Sequence, residues 1–239
     1  MKPPVTPRDT WVLWLTAVTA LIGVWLYPIS TTLTRSIGIV MLAAVWLGLG
    51  ALLWQRRIPR YGWLCATLFI AVFMALPERN GRDTRAMRDD FTRGMLRYTG
   101  ARYVWGGEGP TGIDCSGLIR RGMIDGMFLR GLRTFDPGLV RWSIRLWWHD
   151  CTADELGKGK AMTTFLFKTP GINTLDHSKL LPGDLAVTAS GVHVMAYLGG
   201  SRWVEADPDA GRVIIVTAPS ANSEWFSGPM KIVRWDILQ

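Results

Sequence analysis

Three features of this 239-residue chain predict an α+β fold preceded by an all-α membrane region. Long uncharged apolar runs fill the first third. Segments with helical periodicity follow. The last third then turns to short β-branched and aromatic runs separated by Gly, Pro, Asp and Asn. Helices first and strands second is the pattern of segregated α and β elements around one core.

The membrane region is read from length and composition. Residues 10–34 carry no charged side chain, Ser36 to Gln55 is a second uncharged run, and Tyr61 to Pro77 a third. About 20 apolar residues span the hydrocarbon core as a helix. We therefore expect three transmembrane helices at about 11–30, 36–55 and 61–77. Trp11, Trp25, Tyr27, Trp54, Tyr61 and Trp63 sit near the ends of these runs, as interfacial aromatics do. Two further hydrophobic runs follow the first, which argues against a cleaved signal peptide. Residues 1–77 form the expected anchor and 78–239 the expected catalytic domain, with Glu78 to Arg82 as a polar hinge.

The formal charge of +8 is unevenly divided. Residues 1–77 hold six basic and one acidic residue, and residues 78–239 hold 21 and 18, so the second part is only +3. That argues against a nucleic-acid surface. The basic residues flanking the spans do not settle orientation. Lys2, Arg8, Arg56, Arg57 and Arg60 favour one side, while Arg35, Arg79, Arg82, Arg85 and Arg88 weigh equally on the other. Long domains cross membranes largely regardless of charge, so we expect the catalytic domain outside. Cys65, Cys115 and Cys151 make no disulfide framework.

From Asp83 or Thr84 a helix is expected to Tyr98, with Met87, Phe91, Met95 and Tyr98 on one face and Gly100 as its stop. A second helix starts at Cys115. Asp136 and Pro137 open a third, its Val140 to Trp148 stretch carrying four Trp and Ile residues among Arg141 and Arg145. This segment reads either as a core helix or as one lying on the membrane face. Thr152 and Glu155 have capping-box spacing. Residues 156–181 read mostly as loop. Five strands are expected at Leu185–Thr188, Val192–Tyr197, Trp203–Glu205, Val213–Thr217 and Lys231–Trp235, forming an antiparallel, partly closed sheet.

The chemistry centres on Tyr103-Val-Trp-Gly-Gly107, Asp114-Cys-Ser-Gly117 and Gly191-Val-His-Val-Met195. A Cys and a His far apart in sequence but brought together by a fold are the signature of a thiol nucleophile and its base. Cys115 falls in the first turn of a helix, where the dipole and free N–H groups favour a thiolate. Its N–H is a candidate oxyanion donor. Glu205 lies on the strand after His193 and can reach the same face to hold the imidazole, with Asp207 as the alternative. Asp114 and Ser116 read as helix-start capping residues, and Asp184 as the residue positioning a strand entry. His149-Asp-Cys151 lacks a second close pair to complete a metal site, and His177 is expected to face solvent. No cofactor or metal is expected.

Tyr103-x-Trp-Gly-Gly107, Asp114-Cys-Ser-Gly117, Pro182-Gly-Asp-Leu185 and His193-Val-x-x-Tyr-Leu-Gly199 occur in the order of the NlpC family of cell-wall cysteine peptidases. The resemblance covers roughly residues 84 to 237 and none of the first eighty. It implies a papain-like fold, with the Cys helix packed on the sheet, and hydrolysis of amide bonds in peptidoglycan stem peptides. It also implies a substrate-positioning hydroxyl at Tyr103. Where the family more often has His, Asn or Gln, this chain has Glu205. The implied setting is a bacterial inner membrane, with the bilayer and peptidoglycan peptide as partners and the catalytic part on the periplasmic or outer side. Two other functions fit the same residues: a papain-like acyltransferase or lipid- or protein-directed thiol hydrolase at the membrane surface, and a non-catalytic binding module.

Overall fold

The computed structural model describes residues 7–160 and 162–239. Three N-terminal helices come first: α1 (Pro7–Leu26), α2 (Thr32–Leu53) and α3 (Arg57–Ala75). At 20, 22 and 19 residues, each is long and apolar enough to cross a membrane. Lys2, used in the charge count, lies outside the described residues. Thr31 caps α2 in a reciprocal pair with Thr34, so the α1–α2 connection ends sharply.

Helices α4 (Thr84–Leu96), α5 (Cys115–Arg133), α6 (Pro137–Trp148) and α7 (Ala153–Gly157) follow. Each begins at a side-chain cap, supplied in turn by Asp83, Asp114, Asp136 and Thr152. A short hairpin, β1 (Glu108–Gly109) and β2 (Gly112–Ile113), precedes α5.

The main sheet holds β3 (Thr163–Thr169), β4 (Leu185–Thr188), β5 (Val194–Gly199), β6 (Arg202–Asp207), β7 (Arg212–Thr217) and β8 (Met230–Trp235). Its order is β3-β8-β4-β5-β6-β7, antiparallel throughout. Residues 100–103 extend it beyond β7, with Gly100 N–H donating to Val213 O and Tyr103 N–H to Gly211 O. Strand β3 corrects the reading of 156–181 as mostly loop. Its apolar residues Phe165, Leu166 and Phe167 run together rather than alternate, and a bulge shifts its register there. An edge strand of that kind carries no period-two signal.

Alternation along the inner strands covers both faces of the sheet. Leu185, Val187, Val194, Ala196 and Val204 pack with Phe91, Met95, Leu118, Ile119 and Met123 of α4 and α5. Ala186, Met195, Tyr197 and Trp203 face the other way, onto Ile172, Leu180, Phe226 and Ile232. This places α5 between α4, α6 and the sheet, with its amino end at the strand ends.

The polar hinge expected at 78–82 is packed rather than free. Trp142 Nε1 donates to Glu78 at 3.3 Å, and Arg82 lies 3.4 Å from Glu78 and 3.6 Å from Asp136. Contacts cross the 77/78 boundary elsewhere too. Trp25 stacks on Trp147 at 6.2 Å, Phe73 meets Phe135 at 4.8 Å, and Arg141 donates to Met74 O and Leu76 O. Helix α6 thus meets the ends of α1 and α3. Its inner face is core through Leu139, Val140, Ser143 and Leu146, while Ile144 and Trp148 are exposed. The core reading of this segment holds for that inner face.

Candidate active site

Cys115 is the first residue of α5. Its N–H has no acceptor inside the helix, as at any helix start. Asp114 builds the approach to it. Its Oδ1 accepts from Gly117 N–H at 2.6 Å and from Ser116 Oγ at 3.0 Å, and its Oδ2 accepts from Gly106 N–H at 2.7 Å. One carboxylate therefore caps the helix and ties the Tyr103–Gly107 loop against it. The glycines are needed for that contact, because a Cβ on Gly117 would collide with Gly107 O.

His193 comes from the turn before β5. Thr188 Oγ1 accepts from the N–H groups of both Val192 and His193 at 3.1 Å, fixing the turn. The imidazole is 2% exposed, and its Nε2 lies 2.7 Å from Glu205 Oε2. Continuing the Ala196–Val204 register sets Glu205 opposite Met195, two residues along from His193 and so on the same face of the sheet. Nδ1 is then left for the Cys115 thiol, which also approaches the Val192 carbonyl at 4.0 Å. Burial opposes protonation of His193. Hydrogen bonds to Cys115 and Glu205, and the negative charge of both, overcome it and raise the pKa to about 9. At neutral pH the ring holds a proton and is an imidazolium beside Cys115.

Glu205 is fully buried, and its Oε1 has no hydrogen-bond partner among the described residues. Asp207 is turned to another task, accepting from Asp209 N–H at 2.8 Å in the β6–β7 turn. The geometry thus pairs His193 with Glu205. Tyr103 is half-buried at the cleft. Burial first, then the fields of Cys115, Asp114 and Asp207, push its phenol up to about 12, so it keeps its proton and can donate. Asp184 lies away from the cleft. It holds Arg234 through two bonds of 2.6 and 2.7 Å and accepts from Leu181 N–H, pinning the entry of β4 to β8.

Two neighbours of the site were not expected from sequence. Trp225 lies flat on His193, with ring centroids 4.3 Å apart and planes 20° from parallel. Beside the cleft, Arg35 and Arg120 converge on Glu108 at 3.0 and 2.6 Å, all three nearly fully buried. Arg120 also reaches Asp150 at 2.7 Å. His177 corrects another expectation: it is half-buried rather than solvent-facing, because its Nε2 accepts from Trp203 Nε1 at 3.2 Å. Cys151 lines the cleft, and burial pushes its thiol up to about 12, which leaves it a protonated bystander.

The cleft at Cys115 has a volume of about 760 Å³, with Tyr103, Trp105, Gly107 and Val192 on its walls. A nucleophile at a helix start and an acid–base histidine held by a buried carboxylate suit acyl transfer.

The chain is similar to solved NlpC/P60 domains. A P60 domain of an antigen from Mycobacterium avium subspecies paratuberculosis is 20% identical over 65% of this chain and 98% of its own, with a TM-score of 0.39. The peptidoglycan hydrolase RipB from Mycobacterium tuberculosis is 20% identical over 68% of this chain and 69% of its own, with a TM-score of 0.38. NlpC1 from Trichomonas vaginalis is 19% identical over 66% of this chain, at a TM-score of 0.39, and the match spans 46% of that protein. No family model and no curated protein matches the chain.

Proposed function

We propose that this chain is a membrane-anchored cysteine hydrolase that cleaves amide bonds in peptidoglycan stem peptides. The observation that carries the reading is the buried Cys115–His193–Glu205 arrangement opening on a cleft. In this mechanism the Cys115 thiolate attacks the carbonyl carbon, and the Cys115 N–H donates to the oxygen that becomes negative. The His193 imidazolium gives its proton to the leaving nitrogen, and the C–N bond breaks to leave a thioester. Now neutral, His193 takes a proton from water, the hydroxide attacks the thioester, and the thiolate is released with the acid. Glu205 holds the ring and offsets its charge. Tyr103 donates to the bound peptide.

The catalytic part belongs outside the cell in this reading. The α1–α2 connection and the end of α3 both meet it, so the α2–α3 connection with Arg56, and Arg57 at the start of α3, lie at the far end of the bundle. Both arginines are exposed there, where an inner-face position suits them. Of the basic residues on the catalytic side, Arg35 is buried against Glu108, while Arg88 donates to Pro182 O and Leu238 O.

The test is hydrolysis by the full-length protein of a stem peptide containing a D-glutamyl–diamino-acid bond. Wild type should cleave it and Cys115→Ala should not; substantial turnover by Cys115→Ala would remove the thiol mechanism. Transfer of the acyl group to an added amine or alcohol in preference to water would instead favour the acyltransferase reading.

A further inference from the structure

One wall of the cleft is not made by the catalytic part. Ile29, Ser30 and Thr31, in the α1–α2 connection, and Arg35, in the first turns of α2, line it together with Cys115. Backbone bonds fix that wall in place. Ser30 N–H donates to Gly106 O at 3.0 Å, Glu108 N–H donates to Pro28 O at 3.2 Å, and Ile29 forms a bridge with Gly107. Arg35 adds the ion pair with Glu108, a bond from Nε to Ser30 Oγ and one to Trp148 O.

The same corner ends a helix able to cross hydrocarbon. Leu26 closes α1 and Ile29 follows three residues later, roughly 10 Å of extended chain at most. The polar layer on each face of a bilayer is about 5–8 Å deep by the usual dimensions, so with Leu26 at the hydrocarbon edge the cleft wall would sit within that layer or just above it. The surfaces around it suit that depth. Tyr27 is 55% exposed, Val192 65% and Trp105 80%. Exposed aromatics of this kind favour the interface over bulk water. Helix α6, across the ends of α1 and α3, holds the catalytic part down on the same plane.

We propose that the substrate is itself tethered to the bilayer: an amide-bearing molecule on a lipid anchor, guided to Cys115 along the α1–α2 connection. This names the substrate class within the thiol-hydrolase reading and rests on that reading for its chemistry. The placement of the cleft can be tested without it.

The experiment uses the full chain with Cys65→Ala and Cys151→Ala, reconstituted in phosphatidylcholine vesicles. Some vesicles carry maleimide on a phosphatidylethanolamine headgroup through about four Gly/Ser residues, others through about twenty, spanning roughly 11 and 25 Å. Cys115 should be alkylated by the short tether at least ten-fold faster than by soluble maleimide at the same total concentration, because tethering raises the local concentration. Trp105→Ser should lower the tethered rate more than the soluble one. Reaction with the long tether or the soluble reagent alone would overturn the proposal. A stem peptide on the same short tether then separates the two ideas. Cleavage of tethered and free peptide at equal kcat/KM would overturn the substrate class while leaving the hydrolase intact. Rapid alkylation with no cleavage of either peptide would leave the placement standing and remove the hydrolase reading.

Discussion

Trp225 covers one face of the His193 imidazole, 4.3 Å from it and nearly parallel. Stacking on an indole favours the protonated ring, because the π face is negative, by about 0.5–1 kcal/mol or more once water is excluded. It also restricts ring rotation. Trp225→Ala should therefore lower kcat about ten-fold and move the alkaline limb of the pH–rate profile to lower pH by less than one unit. Trp225→Phe should restore most of both. An unchanged limb in Trp225→Ala would show that the indole only fills space.

The alkaline limb itself follows from His193. Its pKa, raised to about 9, sets the pH above which the leaving nitrogen loses its proton donor. Wild-type kcat/KM should fall as pH rises through about 9. Glu205→Gln keeps an acceptor for Nε2 but removes the charge, so this limb should shift toward the ordinary imidazole range with partial activity retained. Glu205→Ala should lose more. If Asp207→Ala is crippled while Glu205→Ala stays near wild type, the histidine has a different partner.

The same shift predicts how stability varies with pH. His193 holds its proton more tightly in the folded state, at about 9, than the ordinary value of 6.5 that an unfolded chain would show. This contribution is fully present below about pH 6.5 and is lost as pH rises through about 9. Tm of the detergent-solubilised protein, measured from pH 6 to 10 for wild type and His193→Gln, should show a gap that narrows toward alkaline pH. A gap constant across that range would contradict the raised pKa.

What could be read in the sequence depended on whether the signal was local. Cys115 announces itself by its helix-start context, and His193 by its Gly191-Val-His-Val-Met195 run, although the strand expected from Val192 begins only at Val194. Glu205 follows from period-two spacing across the hairpin. Trp225 lies in an irregular stretch whose only ordered turn is a short 3₁₀ segment, so no periodicity places it near His193. Strand β3 was hidden for the same reason. Arg35 was misleading in another way. Counted as a loop charge, it looked like a topology signal, whereas its partner Glu108 lies 73 residues on. A pairing of that kind becomes visible only once the α1–α2 corner is docked.

Arg35 also bears on whether the anchor can be removed. Its side chain is 2% exposed and that of Glu108 5%, so losing Arg35 leaves the buried Glu108 carboxylate to Arg120 alone, a loss below the about 3–5 kcal/mol of a buried charge with no partner. Arg35→Ala should lower Tm and expose the α1–α2 connection to protease. Arg35→Met should recover part of the loss, since its stem refills the space and Glu108 keeps its pair with Arg120. A chain beginning at Glu78 should be less stable than the full protein by at least the Arg35→Ala deficit. Equal stability of the two would mean that the helices tether the domain without supporting it.

The last prediction concerns the side of the membrane. The α1–α2 connection and the catalytic part share one end of the helical bundle, and Gln55 lies in the connection at the other end. Single cysteines at these two ends must therefore label from opposite sides, whichever way the bundle is inserted. Ala221 and Gln55 are both exposed. In a chain with Cys65, Cys115 and Cys151 replaced by Ser, Ala221→Cys should react with a membrane-impermeant thiol reagent on intact cells stripped of any outer membrane. Gln55→Cys should react only after the inner membrane is opened. The reverse pattern would place the cleft in the cytoplasm, beyond the reach of mature peptidoglycan, and would favour the acyltransferase reading. Labelling of both residues on intact cells would mean that the helices do not span the membrane as a three-helix bundle.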